Sequence, residues 1–204
     1  MVSKVVRNVV QCTPEVYFGP RMQNYITEQC QLPKNNWIYE IIDGTREQDN
    51  VVLNDPEFIM LPDIDNHTQV FNYLVIFKDR SLKTIRDLKA SHLPLLKRVR
   101  ESITRLLLSS GCPHNQLMLY FHYLPSVYQL HLHIVAPYGR YTTQDPCKIH
   151  SLQNVISNLE LHESYYQKIE LTTVIVSNVD LIRIYLPYMN SIAISTRDEA
   201  PSSS

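Results

Sequence analysis

The chain has 204 residues, 44% of them hydrophobic, with a net charge of -1 and a pI near 6.7. That is enough apolar content for one well-buried domain, and too little positive charge for sequence-independent binding to long nucleic acid, so any nucleotide ligand is expected to be small. The opening MVSKVVRNVV is too short an apolar run for a signal peptide, and no segment reaches the length of a membrane span.

Residues 1–36 carry Pro14, Pro20 and Pro33 and are expected as an arm with one short helix around Met22 to Glu28. Trp37, the one tryptophan, opens WIYEIIDG, where Ile38, Ile41 and Ile42 fit a helical face that Gly44 would end. Asn50 to Asn54, Phe58 to Leu61 and Asn72 to Phe77 are short runs separated by Asp-Pro and Pro-Asp signals, which predicts consecutive antiparallel strands. Ser91 predicts an N-cap, and Leu95, Leu96, Val99, Ile103, Leu106 and Leu107 recur at helical spacing until Gly111 and Pro113. The opposite face of that helix, with Lys97, Arg98, Arg100 and Arg105, reads as solvated surface. Lys148 to Leu159 predicts a second helix, Leu171 to Val176 a last strand, and Thr196 to Ser204 a frayed polar tail. Cys12, Cys30, Cys112 and Cys147 show no metal-ligand or redox spacing, as expected of reduced intracellular thiols. The sum is an α+β domain over 37–195, a mostly antiparallel sheet packed with a long and a shorter helix.

Most of the chemistry lies in FHYLPSVYQLHLHIVAPY, residues 121–138. Strand alternation sends Leu130, Leu132 and Ile134 one way and Gln129, His131 and His133 the other, with His122 on the neighbouring strand. Three readings compete: structural histidines, a zinc site lacking a recognisable further ligand motif, and nucleophilic catalysis by imidazole. No G-x-G-x-x-G or Walker sequence is present, so a phosphate must be held by side chains or strand-end amides.

The run HYLPSVYQLHLHI resembles the histidine-triad signature, and within that superfamily the scavenger mRNA-decapping enzymes. WIYEIID, Leu61-Pro62-Asp63, SLKTIRDL followed by SHLPLLKRV, and NVISNLE followed by YYQKIELT are similar to family segments in the same order, from about Trp37 to Val176. The resemblance implies a histidine-triad fold and metal-free, cofactor-free hydrolysis of the phosphoanhydride in 7-methylguanosine cap dinucleotides or short capped RNA, releasing 7-methylguanosine monophosphate. It places His131 at the nucleophilic position and His133 at the third triad position, while Gln129 replaces the first histidine and is expected to orient phosphate rather than act as an acid. It also implies that Trp37 stacks on the cationic base and Glu47 accepts its N–H groups. Substrate contacts are expected at Asp63, His122, Ser126 and Lys148, and at Asp65, which stands where the family has a lysine. Val127 replaces a family tyrosine. The family carries a large N-terminal domain that closes over the site, whereas 36 residues precede Trp37 here, so weaker water exclusion is expected. A fragment, a divergent paralogue and a pared-down enzyme all fit. The implied setting is cytoplasmic and nuclear, away from membrane, as a monomer or homodimer. A catalytically weak cap-binding protein and a histidine-triad hydrolase without cap preference are the alternatives.

Overall fold

The computed structural model describes residues 7–63, 71–109, 111, 117–136, 146–176 and 178–195. Among these residues, eight strands form two antiparallel sheets. The larger runs in the order β2(Leu53–Asn54), β3(Phe58–Pro62), β4(Phe71–Phe77), β6(His131–Ala136), β5(Met118–His122), β7(Ile149–Ser151). The smaller pairs β1(Arg7–Cys12) with β8(Leu171–Val176). The predicted meander β2-β3-β4 is present, and β6 sits at its centre because β4 and β5 both pair with it.

One face of the large sheet builds the main core. Leu132 and Ile134 of β6, Phe121 of β5, and Val75 and Phe77 of β4 pack there, all essentially inaccessible. Each such side chain contributes roughly 1.5–3 kcal/mol of burial. The helix α4(Leu93–Ser109) lays Leu95, Leu96, Val99, Ile103 and Leu107 on this face, as its periodicity predicts. Its start differs from expectation: Ser91 lies inside a 3-10 turn, Ala90–His92, in which His92 Nδ1 accepts the Lys89 N–H, and α4 begins at Leu93. Gly111 closes the helix with φ at 78°, a left-handed conformation that glycine adopts at little cost.

Residues 7–36 are not an arm. β1, α1(Pro14–Phe18) and α2(Pro20–Gln31) send Val10, Cys12, Val16, Tyr17, Met22 and Ile26 into the main core. The prolines that suggested interruption sit at the first helical positions, where a missing N–H costs nothing. The second predicted helix also starts later, because Ile149–Ser151 form edge strand β7 and Ser151 then caps α5(Leu152–Leu161). A helix not expected from sequence, α6(Val179–Ser195), follows β8. Residues 196–204, expected to fray, and Cys112 lie outside the described residues.

On the other face of the sheet, Tyr120 and Val135 form a small buried cluster over β5 and β6, and a larger one lies over β3 and β4. Here α3(Asn36–Ile42) buries Ile38 and Ile41 against Ile59, Leu61, Leu74 and Ile76, with Trp37 and Val127 packed alongside. This is the predicted helical face, ended before Gly44 at φ 75°.

Candidate active site

The site grows from β6. Its inward residues Leu132 and Ile134 anchor it in the core, so alternation turns His131 and His133 to the face bearing α3, in register with Ile76 and Leu74. His131 is 8% exposed, and its Nδ1 lies 2.7 Å from the backbone carbonyl of Gln129. A carbonyl can only accept, so Nδ1 carries the proton and Nε2 keeps its lone pair. Burial, aided by His133, pulls the His131 pKa down to about 4, which leaves the ring neutral at pH 7.

His133 has Nδ1 3.8 Å from the Asp63 carboxylate. Its ring stacks on Tyr120 with centroids 5.3 Å apart and planes at 17°, and lies 4.5 Å from His122 and 5.2 Å from His131. Its Nε2 is buried without a hydrogen-bond partner among the described residues. Such an atom is costly unless a ligand or water completes it. Tyr120 was not foreseen from sequence, although its position two residues before His122 on β5 puts both on one face. Burial and the Asp63 charge push its pKa up to about 12, so it remains a neutral phenol.

Gln129 differs from expectation. Its side chain is fully buried and its Nε2 donates to Phe77 O at 2.7 Å and Asp79 O at 2.9 Å, so both N–H groups are spent on backbone rather than on phosphate. Oε1 is buried without a partner among the described residues.

The other expected residues lie on or beside α3, β3, the β5–β6 connection and β7. Trp37 is partly buried beside Val127, on the cluster containing Leu74 and Ile76. Glu47 follows α3 at φ 54°, with its carboxylate 18% exposed and accepting from Arg46 Nε at 3.3 Å. Asp63 follows β3, and its N–H donates to Asn72 O. Ser126 is exposed in the turn between β5 and β6. Lys148 is partly buried, and its carbonyl accepts from Tyr123 N, which places it at the β5 edge beside His122. Asp65 lies outside the described residues. Among the described residues, no group of three or more His, Cys, Asp or Glu could hold a metal ion. The face thus combines a neutral imidazole with a lone pair, two further imidazoles, a phenol and a carboxylate, a set suited to attack at phosphorus with proton transfer.

An antiparallel α+β fold with histidines alternating along its central strand defines a domain of the histidine-triad class. More narrowly, the chain belongs to the family described as scavenger mRNA decapping enzyme C-terminal binding, which matches residues 36–144. It is 36% identical over 144 residues to the m7GpppX diphosphatase of Bos taurus, covering 67% of this chain and 43% of that protein. It is 32% identical over 159 residues to the Homo sapiens m7GpppX diphosphatase, covering 72% and 46%. The chain therefore spans less than half the length of these relatives. Among solved structures, the aprataxin orthologue Hnt3 in complex with DNA matches 80% of this chain and 97% of its own, with a TM-score of 0.45 and 15% identity.

Proposed function

We propose that the chain hydrolyses the phosphoanhydride of 7-methylguanosine cap dinucleotides or short capped oligonucleotides. The observation that carries this reading is His131: buried, neutral, and tied through Nδ1 to the Gln129 carbonyl, it keeps the lone pair on Nε2, and its ring lies 5.2 Å from that of His133, which in turn neighbours His122 and Tyr120. The name m7GpppX diphosphatase borne by the relatives supports the substrate class. In the reaction, His131 Nε2 forms a bond to the phosphorus next to 7-methylguanosine as the anhydride P–O bond to the leaving nucleotide breaks. His133 or His122 supplies a proton to that leaving phosphate. Water then opens the phosphoimidazole, returning the electron pair to Nε2 and releasing 7-methylguanosine monophosphate. Trp37 stacks on the methylated base and Glu47 accepts its N–H donors. Asp63, Asp65, Ser126 and Lys148 contact the remainder of the ligand. Action in the cytoplasm and nucleus, as a monomer or homodimer, belongs to the same proposal.

A second reading, a cap-binding protein with weak or no turnover, is favoured by the commitment of both Gln129 donors to Phe77 O and Asp79 O, which leaves no proton to deliver from that position. The test is single-turnover hydrolysis of methylated and unmethylated cap dinucleotides by wild type and His131→Asn. Cleavage of the methylated substrate alone, abolished in His131→Asn, is the expected result. Equal cleavage of both substrates indicates a general nucleotide hydrolase, binding without cleavage indicates the cap-binding reading, and full activity of the variant removes His131 from the chemistry.

A further inference from the structure

Gln129 and Leu130 lace the start of β6 to a neighbouring turn. Gln129 Nε2 donates to Phe77 O and Asp79 O, Leu130 N donates to Leu82 O at 2.8 Å, and Leu130 O accepts from Phe77 N at 3.1 Å. The carbonyl of the same Gln129 receives His131 Nδ1. Both ends of the turn from residue 77 to 82 are thereby fixed to the residue that orients the nucleophilic ring. The carboxamide orientation follows from the partners, since two carbonyl oxygens require the NH2 end.

We propose that Gln129 is a positioning residue for His131: its amide staples the turn from residue 77 to 82 against β6, which holds the Gln129 carbonyl in line with Nδ1 and keeps the ring dry. The role rests on His131 being the reactive ring, and it differs from contact with phosphate. Two carbonyls converging on one nitrogen demand a neutral group with two N–H bonds on a single atom, which a carboxamide offers. A neutral imidazole has one N–H, and the two of an imidazolium diverge from separate atoms. An imidazolium would also place a buried positive charge on the strand beside His131, where like charges oppose one another. Histidine at this position therefore loosens the staple instead of restoring a catalytic group.

The test follows the His131 imidazole directly by NMR titration of its carbon-bound ring protons, and so does not depend on turnover. The groups acting electrostatically on this ring, His133 and Asp63, stay unchanged in every variant. Wild type is expected to titrate far below an ordinary histidine. Gln129→Met removes both donors at similar volume, and its His131 pKa should rise by about one unit or more as water enters. Gln129→His loses the staple too, but any charge on the new ring opposes charge on His131, so its rise should be smaller than that of Gln129→Met; Gln129→Asn, which keeps both N–H groups on a shorter reach, should fall between Met and wild type. A lowered melting temperature with an unchanged His131 titration in Gln129→Met or Gln129→Asn would show a merely structural residue and overturn the proposal, as would a Gln129→His protein with unaltered titration and higher turnover. The shifted titration without cap hydrolysis by any of the proteins upholds the positioning role while defeating the decapping reading.

Discussion

Two buried polar clusters lie on opposite sides of the large sheet, and they are completed in opposite ways. On the core side, Arg86 is entirely inaccessible, yet its guanidinium donates to Tyr123 Oη, to the carbonyls of Tyr166 and Ile169, and to the carbonyl of Cys12. Tyr123 Oη is in turn 2.6 Å from Cys12 Sγ, which is 2.9 Å from Tyr185 Oη. This one side chain ties β1, the end of β5 and the segment before β8 together. On the other side, His133 Nε2 ends without a partner among the described residues. A buried polar group that the protein completes for itself is scaffold, whereas one left open beside a neutral imidazole is suited to receive a ligand. Openness alone does not define a site, since Tyr39 Oη, Tyr128 Oη and His150 Nε2 also lack partners among the described residues. The concentration of His131, His133, His122, Tyr120 and Asp63 on one face is what sets it apart.

The largest effect should come from breaking the scaffold. Arg86→Ala strands three carbonyls and leaves a cavity, and is expected to cost about 3–5 kcal/mol of unfolding free energy, measured by urea titration. If the loss is under about 1 kcal/mol, the cluster is not the structural anchor described. His131→Asn, in contrast, should leave stability at pH 7 nearly unchanged.

Acid should weaken both sides. Burial holds both His131 and His150 down to about 4 in the folded protein, against about 6.5 for an ordinary histidine, and the nearby Arg86 charge adds to the effect at His150. Between these values the unfolded chain binds more protons than the folded one, so stability is full near pH 7 and falls as pH drops from about 6.5 toward 4. At pH 5 the loss is about 2 kcal/mol from His131 and less from the partly buried His150. Urea titrations of His131→Asn and His150→Asn at pH 7 and pH 5 should each show a smaller drop than wild type. An equal drop in all three proteins would mean that neither ring carries the effect.

On the open face, Trp37→Ala should weaken 7-methylguanosine diphosphate by about 1–2 kcal/mol, the worth of stacking on a desolvated cation. Because Trp37 is the one tryptophan, wild-type fluorescence reports the contact. Unchanged emission on demonstrated binding would leave it as packing for Ile38 and its neighbours.

Much of this contrast was legible in the chain. The helical stripe Leu95 to Leu107 and the alternation from Leu130 to Ile134 each carry one period, so they mark which residues are core and which are presented. The scaffold was hidden for physical reasons. β1 meets β8 across more than 150 residues, a pairing no local pattern encodes. Ile149 lies inside the stretch predicted as helix but serves a three-residue edge strand, and α6 runs through Pro187, a residue that helix interiors disfavour. Arg86, inside SLKTIRDL, looks like an ordinary surface cation until the carbonyls of Cys12, Tyr166 and Ile169 converge on it. Gln129 was visible as a departure from the triad, but its task depends on where the carbonyls of Phe77 and Asp79 fall.

The smallest expected effect concerns Arg46, which sits between the two kinds of region. Its guanidinium reaches Glu40 Oε2 and Glu47 Oε1, both at 3.3 Å, so the carboxylate proposed to hold the methylated base already has a cation beside it. Arg46 is 47% exposed, and a pair so hydrated is worth under about 1 kcal/mol. It nevertheless competes for the same oxygen and repels a cationic base. Arg46→Gln should therefore bind the nucleoside 7-methylguanosine about threefold more tightly, a factor consistent with losing a weak surface pair. The nucleoside is the right probe because it has no phosphate for Arg46 to attract. Weaker binding by Arg46→Gln would mean that the guanidinium sets the carboxylate in place, and Glu47 would then join the completed polar groups of the scaffold rather than the open ones of the site.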